Sequence, residues 1–308
     1  MKKFIRQELL YGLRTGCFAI ILVMLTVLTS AILYLNHIAA VDTYSNYLRV
    51  QEYYQENGLD IQADLQGDYT VTPSEQGDLV SNPLLYYKEL LEKSIFANSF
   101  TYGISQILES SAFLFPFVFG LLGVIIATYD YKNKTTKMKI VRASPWQMGI
   151  AKQIALLGAC FAITGVALLF SFGMQSVLFS LLKAKIPIAE FNWMSINMLP
   201  ILPKLVFALL QGVLFSEIGY TLGILFKHSL IGSGMLAAYS FILPPLGQYD
   251  LKNTMHYWAL RIFDYYGNLS LEPPHAKTTV TIALLVPGML CLACIGSNLI
   301  IVSKRSSF

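Results

Sequence analysis

Runs of about twenty apolar residues recur along this chain, and they limit what it can fold into more than any other feature. A helix rises about 1.5 Å per residue and the hydrocarbon core of a bilayer is about 30 Å thick, so roughly 20 residues suffice to cross. Six such spans can be read, at 17–35, 104–128, 154–182, 199–226, 229–246 and 279–302. The second is most apolar over 111–128. The third and fourth exceed the minimum, which implies tilt or extension beyond the bilayer. Pro244-Pro245 cuts the fifth short. Of the 308 residues 55% are hydrophobic and only 13% charged, about half the charged share of a soluble domain. The expected fold is therefore an all-α membrane protein with six transmembrane helices. A net charge of +4 is small and points to no nucleic acid partner.

Lys and Arg set the expected orientation. The N-terminus, the 129–153 loop, Lys227 and the tail carry 13 basic residues against Glu8 and Asp130. The 36–103 segment carries Arg49, Lys88 and Lys93 against ten acids, among them Asp60, Asp64, Asp68 and Asp78. Both termini are then cytoplasmic and the acidic segment lies outside. Lys183, Lys185 and Lys204 fall on the wrong side of this rule and are too few to overturn it. The first span has an alternative as the apolar region of a signal peptide, but it is long for that and no small-x-small site follows cleanly.

Residues 1–16 alternate Lys2, Lys3, Arg6 and Gln7 with Phe4, Ile5, Leu9 and Leu10. That pattern fits an interfacial amphipathic helix on the inner membrane face, or else a simple basic flank. In the outer segment, Val41, Tyr44 and Leu48 share a helical stripe that continues the first span towards Gly58. A strand-like 69–72 follows. Asn82-Pro83 then opens a helix with Leu84, Tyr87, Leu91 and Ile95 on one face. Lys88/Glu92 and Glu89/Lys93 are i,i+4 pairs on it. The 36–103 segment thus reads as a small structured extracytoplasmic cap. Outer loops at 183–198 and 247–278 complete that side. No repeat divides the six spans into similar halves.

All four cysteines, Cys17, Cys160, Cys291 and Cys294, lie in spans, so no external disulfide framework exists. Cys291-x-x-Cys294 has metal-site spacing but no nearby His, and reads as small apolar filler. No metal site is expected.

The loop at 129–153 is a basic island between two apolar spans. Thr135 to Val141 has the length of one or two helical turns. Ser144-Pro145-Trp146-Gln147 is a capping box, with Ser at the N-cap, Pro at the first helical position and Gln at the third. A short helix, a sharp turn and a new helix can transmit force from a soluble motor. The plainer reading is an ordinary inside loop.

Here the chain resembles ABC-2-type transporter permeases. The resemblance rests on the six spans, the interfacial N-terminal helix, the large first outer loop, and an inner loop carrying Asp130, Thr135 or Thr136, Met138 to Val141, Ser144-Pro145 and Lys152. Asp130 stands where Glu is usual and Asn133 where Gly is usual; Asn tolerates the left-handed turn that Gly would supply. The resemblance implies that the loop is a coupling helix docked in an ATP-binding subunit. Its contact residues would be Asp130, Lys134, Thr135, Thr136, Met138, Ile140, Arg142, Pro145 and Trp146. ATP and magnesium would sit on that separate chain. This one has no Gly-Lys dipeptide, hence no phosphate-binding loop, and is not expected to be an enzyme or to hold a cofactor. A second permease, identical or related, and membrane lipid are the other expected partners. The absence of cysteines from the outer segments and the Lys-rich inner face fit the plasma membrane of a bacterium.

Within the spans, Gly212, Ser216, Gly219 and Gly223 form a small-residue stripe for close helix packing, inside the bundle or against a partner permease. Glu217 is the one acid well inside a span. Burying its charge costs at least about 2.5 kcal/mol, so it faces protein or a cavity, with Tyr220 and Thr221 on its face. It is either a gate or polar spot on the substrate route, or a satisfied interhelical hydrogen bond. Glu109, at the outer edge of the second span, reads as interfacial. The leading function is export of a peptide, drug or other amphipathic substrate by an ATP-driven transporter. The alternatives are a secondary transporter or channel, and a sensor with an outer ligand-binding cap.

Overall fold

The computed structural model describes residues 1–73, 79–133 and 144–305, and it is 80% helical. Five helices are long and apolar enough to cross a membrane: α2 (Cys17–Glu56), α5 (Phe100–Lys132), α6 (Pro145–Lys185), α7 (Ile201–Phe226) and α10 (Val280–Arg305). The chain is a helical multi-pass membrane protein. A short helix, α1 (Lys2–Arg14), precedes α2, and Gly16 turns the chain between them at φ +71°.

Helix α2 runs 40 residues, well past residue 35, and stops at Asn57 before Gly58 at φ +65°. The cap beyond it holds α3 (Ile61–Leu65), a two-stranded antiparallel ribbon of β1 (Val71–Thr72) and β2 (Leu79–Val80), and α4 (Pro83–Ala97). Local chemistry starts α4: the Asn82 side chain accepts from the Leu85 amide at 3.2 Å and Pro83 takes the first helical position. Leu91 and Ile95 of α4 then pack with Ala40 of α2 and Phe179 and Leu182 of α6. The upper ends of α2 and α6 thus belong to the cap.

The tightest contact in the fold joins α5 and α7. A Cβ on Gly219 would lie 2.0 Å from the Gly120 carbonyl oxygen, and one on Gly123 would lie 2.0 Å from that of Ser216. A Cβ on Gly223 would meet Ala127 at 2.6 Å, and one on Gly212 would meet Phe119 at 3.1 Å. The small-residue stripe therefore serves intramolecular packing: backbone meets backbone because nothing intervenes.

Two prolines sit inside these helices, and each leaves a carbonyl without its helical donor four residues earlier. For Pro116 that is Ala112, whose oxygen accepts from Gln211 Nε2 of α7 at 3.4 Å. For Pro287 it is Ala283, whose oxygen accepts from Trp258 Nε1 at 3.1 Å. Side chains of neighbouring helices thus satisfy groups that hydrocarbon could not.

The span expected at 229–246 is not one helix. Helix α8 (Ser229–Ala237) passes into a single π-helical turn, 238–242, and stops. At 14 residues, Ser229–Ile242 is too short to cross alone. Its depth follows from its neighbours: Gly232 lies against Val124, Leu236 against Gly120, and Phe241 against Phe117 with ring centroids 5.1 Å apart. Phe117 is near the middle of the 33-residue α5. Pro244-Pro245 removes two amides and restricts the residue before each, so the helix cannot continue. Residues 243–250 are irregular, and α9 (Leu251–Ile262) resumes. Phe263 packs on Phe207, and Asp264 reaches Lys204 near the start of α7. The 247–278 segment, expected as an outer loop, therefore contains a helix whose Leu251, Met255 and Ala259 belong to the main core.

Candidate functional site

The 129–153 region is anchored on both flanks. Helix α5 continues to Lys132, and α6 starts at Pro145, so 145–153 is helix rather than loop. Ser144 Oγ accepts from the Gln147 amide at 3.3 Å, the N-cap that the Ser-Pro pair implies. Asp130 of α5 and Lys152 of α6 form an ion pair whose side chains are 9% and 11% exposed. Removing one partner of such a pair strands the other charge, at a cost of about 3–5 kcal/mol when burial is complete. Tyr11 of α1 meets Tyr129 edge-on with centroids 4.1 Å apart, so the N-terminal helix rests on the same place. Gln153 Nε2 donates to the Ile295 carbonyl of α10 at 3.3 Å. Trp146 is half-exposed beside Pro145. Asn133 is not left-handed: φ is −95°, and its side-chain amide donates to the Tyr129 carbonyl at 3.0 Å, extending the last turn. Lys134, Thr135, Thr136, Met138, Ile140 and Arg142 lie outside the described residues.

Glu217 is buried, and its Oε2 accepts from Asn298 Nδ2 of α10 at 2.9 Å. Thr221 Oγ1 donates to the Glu217 backbone carbonyl at 2.8 Å, not to the carboxylate. Tyr220 is buried in the main core. The geometry here is an interhelical hydrogen bond between α7 and α10. Among the described residues no group of His, Cys, Asp and Glu is arranged to hold a metal ion.

A buried polar cluster lies elsewhere, at the cap end of α5 and α7. Glu109 is fully buried rather than interfacial. Its Oε1 accepts from the Tyr102 hydroxyl, from Ser105 Oγ at 3.3 Å and from the Tyr265 amide at 3.2 Å. Lys204, also fully buried, donates to Ser105 Oγ and to Asp264 Oδ2, each at 2.5 Å. Asp264 in turn accepts from the Leu199 amide. Tyr265 has φ +52°, unusual for a residue with a side chain. That turn presents its amide to Glu109 and the next amide, of Tyr266, to the Tyr102 hydroxyl at 3.2 Å. Burial first, and the Glu109 charge second, push the Tyr265 phenol up. For Tyr266 the order is burial, Asp264, then Glu109. Around the cluster, Glu109 Oε2, both polar atoms of the Gln106 amide, Gln175 Oε1 and the Tyr265 hydroxyl are buried without a hydrogen-bond partner.

Sequence reasoning missed this cluster, and one local signal pointed to it. Tyr102, Ser105 and Glu109 follow one another at spacings of three and four residues, on one face of a helix. Lys204 broke the charge rule for the same reason: it pairs with Asp264 inside the fold.

Comparison with protein-family models, with curated proteins and with solved structures found no match.

Proposed function

We propose that the chain is the membrane-spanning subunit of an ATP-driven exporter of the ABC-2 type. In this reading both termini are cytoplasmic and the chain crosses six times, the fifth crossing being the broken α8–α9 pair. A separate ATP-binding subunit docks on the 129–147 stretch and on α1, and two permease chains share two such subunits. The observation that supports it most is the anchoring of that basic stretch. The Asp130–Lys152 pair ties α5 to α6 at its base, and Tyr11–Tyr129 ties in α1. A push there is delivered to three elements together. The substrate is a peptide, drug or other amphipathic molecule.

A second reading is an ion- or proton-coupled carrier, and one observation favours it. Two carboxylates and one ammonium are buried together at Glu109, Asp264 and Lys204, and buried ionisable groups in membrane proteins mark ion and proton routes. Substrate efflux from cells expressing the chain with its ATPase separates the two. The exporter reading expects efflux to stop on ATP depletion and to survive collapse of the ion gradients. The opposite pattern would establish the carrier.

A further inference from the structure

A cavity of about 930 Å³ opens between α7, α8, α10 and the irregular 246–250 segment. That volume is at the upper end of the range for small-molecule pockets. Its walls are apolar: Phe215 and Ile218 come from α7, Met235 from α8, and Met289, Leu290 and Ala293 from α10. Met235 of α8 and Met289 of α10, both on the wall, are exposed, so the cavity is open rather than sealed where these two helices flank it.

The irregular segment that forms its remaining wall leaves α8 level with the middle of α5, at hydrocarbon depth. Backbone of this kind is tolerated there only against protein or inside a cavity that satisfies it. The amides of Leu246 and Asp250 are hydrogen-bonded, to the Asp250 carboxylate at 2.6 Å and to the Gly247 carbonyl at 3.1 Å. Those of Gly247, Gln248 and Tyr249 have no acceptor among the described residues, and all three residues line the cavity.

Unmet donors call for an acceptor, and the charge nearby narrows which. Asp250 is the one carboxylate among the lining residues, and the Lys252 ammonium stands beside it over the Tyr239 ring, 5.1 Å from its centroid, so the two charges offset each other. Both its oxygens are occupied, Oδ1 by the Tyr239 hydroxyl at 2.7 Å and the Lys252 amide at 3.1 Å, and Oδ2 by Leu246. The Lys252 ammonium already donates to the Leu243 carbonyl at 2.5 Å, so the wall offers an anionic phosphate or carboxylate no spare cation to pair with. A neutral carbonyl oxygen fits.

We infer that this cavity binds a neutral acyl lipid drawn from the surrounding bilayer. The chain lies against the α7, α8 and α10 walls, and the ester carbonyl accepts from the 247–249 amides. The site stands independently of any ATPase partner.

The test uses the full chain in phosphatidylcholine nanodiscs with a diazirine-bearing monoacylglycerol as probe. Labelling is expected on 235, 246–250 and 286–294, and it should saturate and be displaced by unlabelled monoacylglycerol but not by the corresponding fatty acid anion. Met289→Trp fills the cavity from its exposed rim and should cut labelling about tenfold, the effect of about 1.4 kcal/mol of affinity. Ala293→Leu fills it from within and should do the same, while Leu169→Trp, on the exposed face of α6, should leave labelling unchanged. Non-saturating label spread equally over the α6 face would overturn the site. So would full labelling of both filled variants. Displacement by the fatty acid anion as good as by the ester would overturn the neutral head.

Discussion

Trp258→Phe removes the indole N–H that serves the Ala283 carbonyl, and its cost depends on a proline in another helix. Pro287 has no amide, so the Ala283 oxygen loses its helical donor. Trp258 Nε1 replaces that donor at 3.1 Å, and Ala283 is fully buried. A buried carbonyl left unmet costs about 1–3 kcal/mol, while side-chain hydrogen bonds between membrane helices average about 0.6 and reach about 1.7 kcal/mol. An ordinary distance and complete burial of the acceptor place this one towards the upper figure. Trp258→Phe also trims the ring, which a single variant cannot separate from the lost bond. Pro287→Ala can, because it restores the amide and makes the indole donor redundant. The four-way cycle, measured by reversible unfolding in mixed micelles, should give a coupling of about 1–1.5 kcal/mol, with Trp258→Phe costing clearly less in the Pro287→Ala background. Additivity within about 0.3 kcal/mol, the value for independent sites, would refute the reasoning. The Gln211–Pro116 cycle should give a smaller coupling of the same sign, since its bond is 3.4 Å long.

Other perturbations have equally definite expectations. Gly219→Ala drives a methyl to within 2.0 Å of the Gly120 oxygen, so it should abolish the folded, monodisperse protein in size-exclusion chromatography; Gly158→Ala, with nothing within 4 Å, should be silent or slightly stabilising. Lys152→Ala should lower stability by about 1–3 kcal/mol, less than a fully buried pair because the ions keep some solvent, and Asp130→Asn in the same chain should recover part of that loss. Tyr265→Phe removes a buried hydroxyl without a partner, so it should be neutral or stabilising at pH 7, whereas Tyr102→Phe should destabilise by about 1–3 kcal/mol through loss of its bond to buried Glu109. The folded chain holds the Tyr265 phenol above its ordinary value. The unfolded chain therefore ionises first as pH rises through about 10, and stability falls with alkali. Tyr265→Phe should make that alkaline limb shallower in denaturant titrations.

What could be read from the sequence is what short-range physics decides. The apolar runs locate the five crossing helices because a bilayer demands about twenty apolar residues each, but not their ends: α2 and α6 run on to 40 and 41 residues through contacts in the cap. Asn82-Pro83 and Ser144-Pro145 announce helix starts because a cap needs only the next three residues. The stripe of Gly212, Ser216, Gly219 and Gly223 announced a close approach, but not that Gly120 and Gly123 of α5 would meet it. Groups that bond across the fold left no such mark. Lys204 looked like a stray outer charge until Asp264, 60 residues away, was beside it. Trp258 and Gln211 carry no local mark of their place on carbonyls freed by prolines in other helices. The break after Ile242 was half visible in Pro244-Pro245, but its depth was not, because contacts with Val124, Gly120 and Phe117 set it.

The central claim is that the stretch between α5 and α6 receives the push of an ATP-binding subunit, and co-purification tests it most directly. The full chain and a Pro145→Ala, Trp146→Ala variant are drawn from mild detergent together with candidate ATP-binding subunits of the same cell. The account predicts that an ATPase accompanies the wild-type chain, and that with the variant it is lost or hydrolyses ATP without efflux. An ATPase bound to neither chain, with efflux intact, would contradict it.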